Sequence, residues 1–238
     1  VRIALAIFRR ELASFFNTPL AYIVVPVFLV LVGLFSLFFN DLFDAGLATM
    51  RTVFFWSAMF LVLLVPAVTM RLFAEEKRTG SLELVATLPL QEVHMVAGKY
   101  LAALALVTIA LALTASYPLT LAALGDLDWG PVVGGYLGLW LLGAAYTSIG
   151  IATSSFTSNQ IVAFLLAMFG CLVPYVMGLF LHQVPASVLP LVQYCSFDYH
   201  FSSMARGIVD TRNLAFYLGV VGTFLHVAVF ALEQRRLA

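Results

Sequence analysis

The residues whose types and spacing could do chemistry are few. Glu92 with His94, and Asp198 with His200, are acid–imidazole pairs two positions apart, the kind of couple that moves protons at a membrane interface. His182, Asp198 and His200 together offer two imidazoles and a carboxylate, donors that suit zinc or copper. No regular spacing joins them, and neither pair has a third partner, so hydrogen-bonded interfacial residues are expected there rather than a metal or catalytic site. His226 stands inside an apolar run, where an ionisable side chain is a functional candidate by default; a neutral imidazole bonded to a neighbouring helix is the alternative. Cys171 lies within an apolar run and Cys195 outside one, so their depths differ and no disulfide is expected. Gly98-Lys99 is the only Gly-Lys pair, and it is followed by Tyr100, with Val93 where a phosphate loop would need glycine. No ATP or other cofactor is therefore expected on this chain.

The elements that would position these groups follow from composition. Of 238 residues, 63% are hydrophobic and only 10% are charged, with a mean hydropathy of +1.03, against roughly 25% charged residues in soluble domains. This is the composition of an integral membrane protein, and the length accommodates a single domain of several spans, residues 1–238. The formal net charge is zero, which excludes nucleic acid as a partner attracted by bulk electrostatics.

Six apolar runs are long enough to cross a hydrocarbon core: residues 20–39, 53–70, 100–121, 132–152, 161–181 and 214–232. None holds Asp, Glu, Lys or Arg, and none alternates polar with apolar residues as a barrel strand would. The expected fold is all-α, with six transmembrane helices. An even number places both termini on one side. With that side inside, nine basic residues are cytoplasmic, and only Arg51, Arg206 and Arg212 are outside, as the positive-inside rule requires.

Before the first span, Leu5, Phe8, Leu12, Phe15 and Phe16 fall within one helical arc while Arg2, Arg9 and Arg10 point elsewhere. The start of the chain thus reads as an interfacial helix rather than a cleavable signal peptide, with Ile3, Ile7 and Glu11 as exceptions to the pattern and Thr18-Pro19 as its end. Between spans five and six, Pro185 and Pro190 punctuate a segment too short to cross, so an interfacial or re-entrant element is expected, and Asp210 is placed to cap span six. Gly134 and Gly138 allow close helix packing, within a subunit or between two.

The charged island Arg71 to Gln91 separates spans two and three. Gly80 can cap a short helix with Glu83 at its third position, Leu82, Val85 and Ala86 form its apolar side, and Pro89 ends it at Leu88. Two turns are too few to hold alone, so the helix needs a partner surface. Glu75, Glu76, Lys77 and Arg78 supply mixed-sign charge suited to a protein partner.

This island resembles the coupling segment of permease subunits of type-2 ABC transporters, on the residues Glu75-Glu76-Lys77-Arg78-Thr79-Gly80-Ser81-Leu82-Glu83 followed by Leu88-Pro89. Ser154-Ser155 with Asn159 to Phe164, and His200-Phe201 with Arg206 to Asp210, are similar to the branch that includes gliding-motility permeases and the permease of nitrous-oxide reductase maturation. The resemblance implies a multi-pass protein of the bacterial inner membrane with both termini cytoplasmic. It implies an exporter whose short cytoplasmic coupling helix contacts a separate ABC ATPase through Glu75, Glu76, Arg78, Gly80, Ser81, Leu82 and Glu83, with ATP and Mg on that partner. A second permease copy, or a related permease, would complete the transporter among membrane lipid. Ser116, Tyr117, Thr147, Ser148 and His226 are candidates to line its pathway, interhelical hydrogen bonds being the alternative for the hydroxyls. An intramembrane lipid-modifying enzyme and a membrane anchor of a larger complex are the competing readings.

Overall fold

The computed structural model describes residues 2–38, 49–81, 91–183, 185 and 187–237, and among them all regular structure is helical. The helices are α1 (Arg2–Asn17), α2 (Leu20–Phe38), α3 (Arg51–Thr69), α4 (Arg71–Thr79), α5 (Glu92–Leu113) and α6 (Ser116–Leu124). They continue with α7 (Trp129–Phe156), α8 (Gln160–Leu179), a 3-10 turn (Leu181–Gln183), α9 (Leu189–Cys195), α10 (Phe197–Ala205) and α11 (Thr211–Leu237). Six stretches are long and apolar enough to cross a membrane: Leu20–Phe38, Arg51–Thr79, Glu92–Ala123, Trp129–Phe156, Gln160–Leu179 and Thr211–Gln234.

Several helix starts are set by short polar side chains that take up first-turn amides. Asp128 accepts from Gly130 N at 3.0 Å, Asn159 from Ile161 N at 2.9 Å, Ser196 from Tyr199 N at 3.2 Å and Asp210 from Arg212 N at 2.9 Å. Asp210 thus caps the last span as its position suggests.

The helix α7 is the axis of the bundle. It packs against α3, α5, α8, α10 and α11, and most of it is buried, whereas α2, α8 and α11 leave most of their surface exposed. Small residues permit this central place. A side chain at Gly134 would meet the Met204 carbonyl and the Gly207 backbone, and one at Gly138 would touch Phe201 and Met204. The Gly134 and Gly138 pair therefore packs within the subunit, on α10 and the turn after it, rather than presenting a face for a second copy. Gly207 makes that turn with φ +85°, a conformation that favours glycine.

The third apolar run is not one helix. It breaks at Thr114–Ala115 into α5 and α6. Pro118 has no amide hydrogen to give the Thr114 carbonyl, and its ring crowds that carbonyl. The Tyr117 amide, at 3.0 Å, and the Tyr136 hydroxyl from α7, at 2.9 Å, donate to it instead.

Candidate functional site

The charged island is helical already before Gly80, ahead of the short helix expected there. Arg71–Thr79 is itself a helix, α4, that carries on from α3 with Met70 still in the right-handed region. Leu72, Phe73 and Ala74 are buried, and Gly80 closes the helix at φ +72°, the left-handed C-terminal conformation that favours glycine. Leu82, Glu83 and the expected helix up to Leu88 lie outside the described residues, and with them the test of Gly80 as its cap.

No side chain of α4's own N-cap, Met70, can take up its first amides. Ser154, near the C-terminus of α7, does so. Its hydroxyl accepts from Phe73 N and Ala74 N, both at 3.1 Å, and donates to the Met70 carbonyl at 3.0 Å. The Lys77 ammonium donates to the neighbouring Ser155 carbonyl. Thus α4 is fixed to the end of the bundle's central helix by one hydroxyl and one ammonium, the first of which is fully buried.

A second tie runs through Lys99. Its side chain, on the second turn of α5, is 1% exposed. The ammonium donates to Glu76 Oε1 at 2.8 Å, to the Leu72 carbonyl at 2.7 Å and to Glu11 Oε1 at 3.3 Å, and it lies 5.0 Å from the centre of the Phe73 ring. Arg10 closes the group by donating to Glu11 at 2.7 Å and Glu76 at 3.3 Å. Two cations and two carboxylates, drawn from α1, α4 and α5, make a neutral cluster. Desolvation pulls the Glu11 carboxyl upward, but the charges of Lys99 and Arg10 outweigh it and hold Glu11 below its ordinary value. The same carboxylate raises the Arg10 guanidinium.

This cluster explains the N-terminal helix. Its buried side is not centred on the expected arc, since Leu5 and Phe16 are exposed. Ile7 and Glu11, which break the simple apolar pattern, are in the packed face. Ile7 meets α5 at Gly98, where a Cβ would lie 2.8 Å from the Ala4 carbonyl and 2.8 Å from Ile7 Cβ. Phe15 is buried under Arg71, whose guanidinium stands 5.4 Å from its ring and donates to the Thr18 hydroxyl at 3.1 Å. So α1 grips α4 and α5 with one face and leaves Leu5 and Phe16 outward, where an interfacial helix meets lipid.

Of the residues expected to contact a partner, Glu75 and Arg78 are exposed, whereas Glu76 is committed to Lys99 and Arg10. The Ser81 hydroxyl donates to the Glu76 carbonyl at 3.3 Å. Thr147 and Ser148 are fully buried, and their hydroxyls donate to the carbonyls of Gly143 and Ala145 in their own helix. Tyr117 bridges to the Leu29 carbonyl at 2.8 Å, and Ser116 is exposed at the α5–α6 break. His226 is exposed and makes no hydrogen bond among the described residues, so the alternative of a tie to a neighbouring helix is not seen among them.

At the opposite end of the bundle, His200 is 5% exposed and stacks on Phe216 with centroids 4.1 Å apart. Its Nδ1 faces Asn213 Oδ1 at 2.8 Å, and its Nε2 faces the Tyr194 carbonyl at 3.1 Å. Both ring nitrogens are thereby used in holding α9, α10 and α11 together. His94 Nδ1 is buried without a hydrogen bond among the described residues, so the Glu92–His94 couple is not made through it. No cluster of three or more metal-ligating side chains occurs among the described residues. Cys171 is buried, Cys195 is exposed, and both are free.

Sequence reasoning missed Lys99 and Ser154. The signal for Lys99 was a lone cation seven positions into a helix that starts at Glu92, before the apolar run proper.

Compared with known proteins, residues 40–232 match the family described as ABC-2 family transporter protein. No curated protein matches the chain.

Proposed function

The chain belongs to the ABC-2 family of transporter proteins and is a transmembrane subunit of an ABC transporter, and from that premise we propose that it forms the substrate pathway of an exporter driven by a separate ATPase that docks on the segment 75–89. The observation that carries the coupling reading is the Lys99 cluster. It ties α4, whose last turns begin that segment, to α1 and to the third span, while Ser154 ties it to the central helix. A force applied beyond Gly80 therefore reaches three membrane elements through short polar contacts rather than being lost in a loose loop.

ATP and Mg act on the partner, where nucleotide-driven closure moves the docking segment. The exposed Glu75 and Arg78 of α4, with Gly80, Ser81, Leu82 and Glu83, form the contact; Glu76 serves the internal cluster instead. Nine basic residues at one end of the spans and three at the other favour cytoplasmic termini and a cytoplasmic α4, in the bacterial inner membrane that the family resemblance implies. The exposed faces of α2, α8 and α11 are available to lipid and to a second permease, identical or related. Spans free of Asp, Glu, Lys and Arg in their apolar runs suit an amphipathic cargo better than a stripped metal ion.

Affinity purification from native membranes, with mass spectrometry of the co-purifying chains, tests the assignment. An ABC ATPase is expected with the wild-type chain, and Glu83→Lys is expected to lower its recovery at least about tenfold by placing a repulsive charge in the contact. Recovery of no ATPase, or equal recovery with the variant, overturns the docking assignment.

A further inference from the structure

A cavity of about 530 Å³ opens at the end of the bundle opposite Lys99 and Ser154, between the starts of α3 and α7 and one side of α10. Its wall includes Phe54, Phe55, Val132, Leu179 and Phe201, an apolar lining with room for part of an acyl chain. Its charged groups are Arg51, Arg206, Asp128 and Asp198, with the hydroxyl residues Thr49 and Ser202 beside them in the wall. Asp128 is engaged in capping α7. Arg51 and Arg206 make no ion pair among the described residues, and the half-buried Asp198 carboxylate accepts no hydrogen bond among them. At the start of α3 the Thr49 hydroxyl accepts from the Arg51 amide at 3.3 Å, and the positive dipole end of the helix adds to the two guanidiniums. Burial pushes the Asp198 carboxyl up, which an adjacent cation would reverse.

We propose that this cavity seats a membrane amphiphile with a zwitterionic phosphate–ammonium head group, the phosphate held by Arg51 and Arg206 and the ammonium by Asp198. Two guanidiniums without an ion pair among the described residues match the oxygens of a phosphate. The Asp198 carboxylate in the same wall, which accepts no hydrogen bond among the described residues, matches an ammonium and gives a pure anion nothing to bind. Phe54, Phe55 and Phe201 take the start of the tail. The seat exists whether or not it lies on the transport route, and its test needs no ATPase, so its failure would leave the permease assignment untouched.

Native mass spectrometry of the delipidated full chain, titrated with dioleoylphosphatidylethanolamine or dioleoylphosphatidylglycerol, tests the seat. The first adduct is expected to favour the ethanolamine lipid. Arg51→Ala with Arg206→Ala should weaken both lipids by about tenfold or more, and Asp198→Asn should abolish the preference between them. Both arginines are exposed, so their loss should not unfold the chain. Arg212→Ala, on the same end but not lining the cavity, should change nothing. Unaltered binding in the double variant, or an equal loss in Arg212→Ala, overturns the seat. A preference that survives Asp198→Asn overturns the ammonium assignment, and full displacement of the lipid by millimolar inorganic phosphate assigns the site to free phosphate instead.

Discussion

The Ser154 hydroxyl accepts the Ala74 amide hydrogen at 3.1 Å across eighty positions of sequence. Through it the last turns of the fourth span cap the helix whose end begins the docking segment, a task that a helix normally gives to its own N-cap residue. The same oxygen also accepts from Phe73 and donates to Met70, so all three contacts depend on one buried side chain.

Ser154→Ala removes this cap from a buried turn. A loss of about 1 to 2 kcal/mol in stability is expected, with faster hydrogen exchange at Phe73 and Ala74. Unchanged exchange at those two amides would show that α4 holds its first turn without α7.

Lys99→Met keeps the stem of the side chain and deletes the charge, leaving Glu11 and Glu76 facing one another with Arg10 alone between them. Breaking a buried pair on one side costs about 3 to 5 kcal/mol. The double variant Lys99→Met with Glu76→Gln should recover part of that loss. Denaturant titration of the four members of the cycle measures the coupling, and strict additivity would deny a direct Lys99–Glu76 interaction.

The carboxyl of Glu11 is held below its ordinary 4.5 in the folded chain. A group whose folded value is depressed contributes stability above its unfolded value and loses it as pH falls through the folded one. Docking of α1 should therefore weaken as the medium is acidified below about pH 4.5, seen as rising protease access at Arg9 and Arg10. Glu11→Gln should show weakened docking already at neutral pH and a flatter profile. An identical acid response in that variant would place the titrating group elsewhere.

Gly98→Leu puts a side chain where the Ala4 carbonyl and Ile7 already stand. Both neighbours belong to α1, so the helix must move away and separate Glu11 from Lys99. Crosslinking between cysteines placed in α1 and α5 should fall sharply while the six spans still insert. Crosslinking at the wild-type level would mean that the contact yields without displacing α1.

The amino-acid sequence by itself determined the membrane class, the six apolar helices and their approximate limits, because a span needs about twenty residues without charge and that condition is local. It also marked Asp210 as a cap, Cys171 and Cys195 as unpaired, and the island at Arg71 as the polar interruption of the bundle. The family was legible there too, in the run from Glu75 to Pro89. What only the tertiary structure decided is how charge is used. Glu11 looks like a defect in an amphipathic helix, and Lys99 like the edge of a span. They become partners because α1 folds back onto α5 at Gly98. Glu76 looks like a surface acid offered to another protein, yet it faces inward because three buried residues before it set the rotation of α4. Ser154 carries no local signal of a cap, since the turn it caps belongs to a helix eighty residues earlier. Apolar periodicity records which segments leave water; which polar groups meet when those segments pack depends on rotation and on approach distance, and these exist only once the helices are assembled.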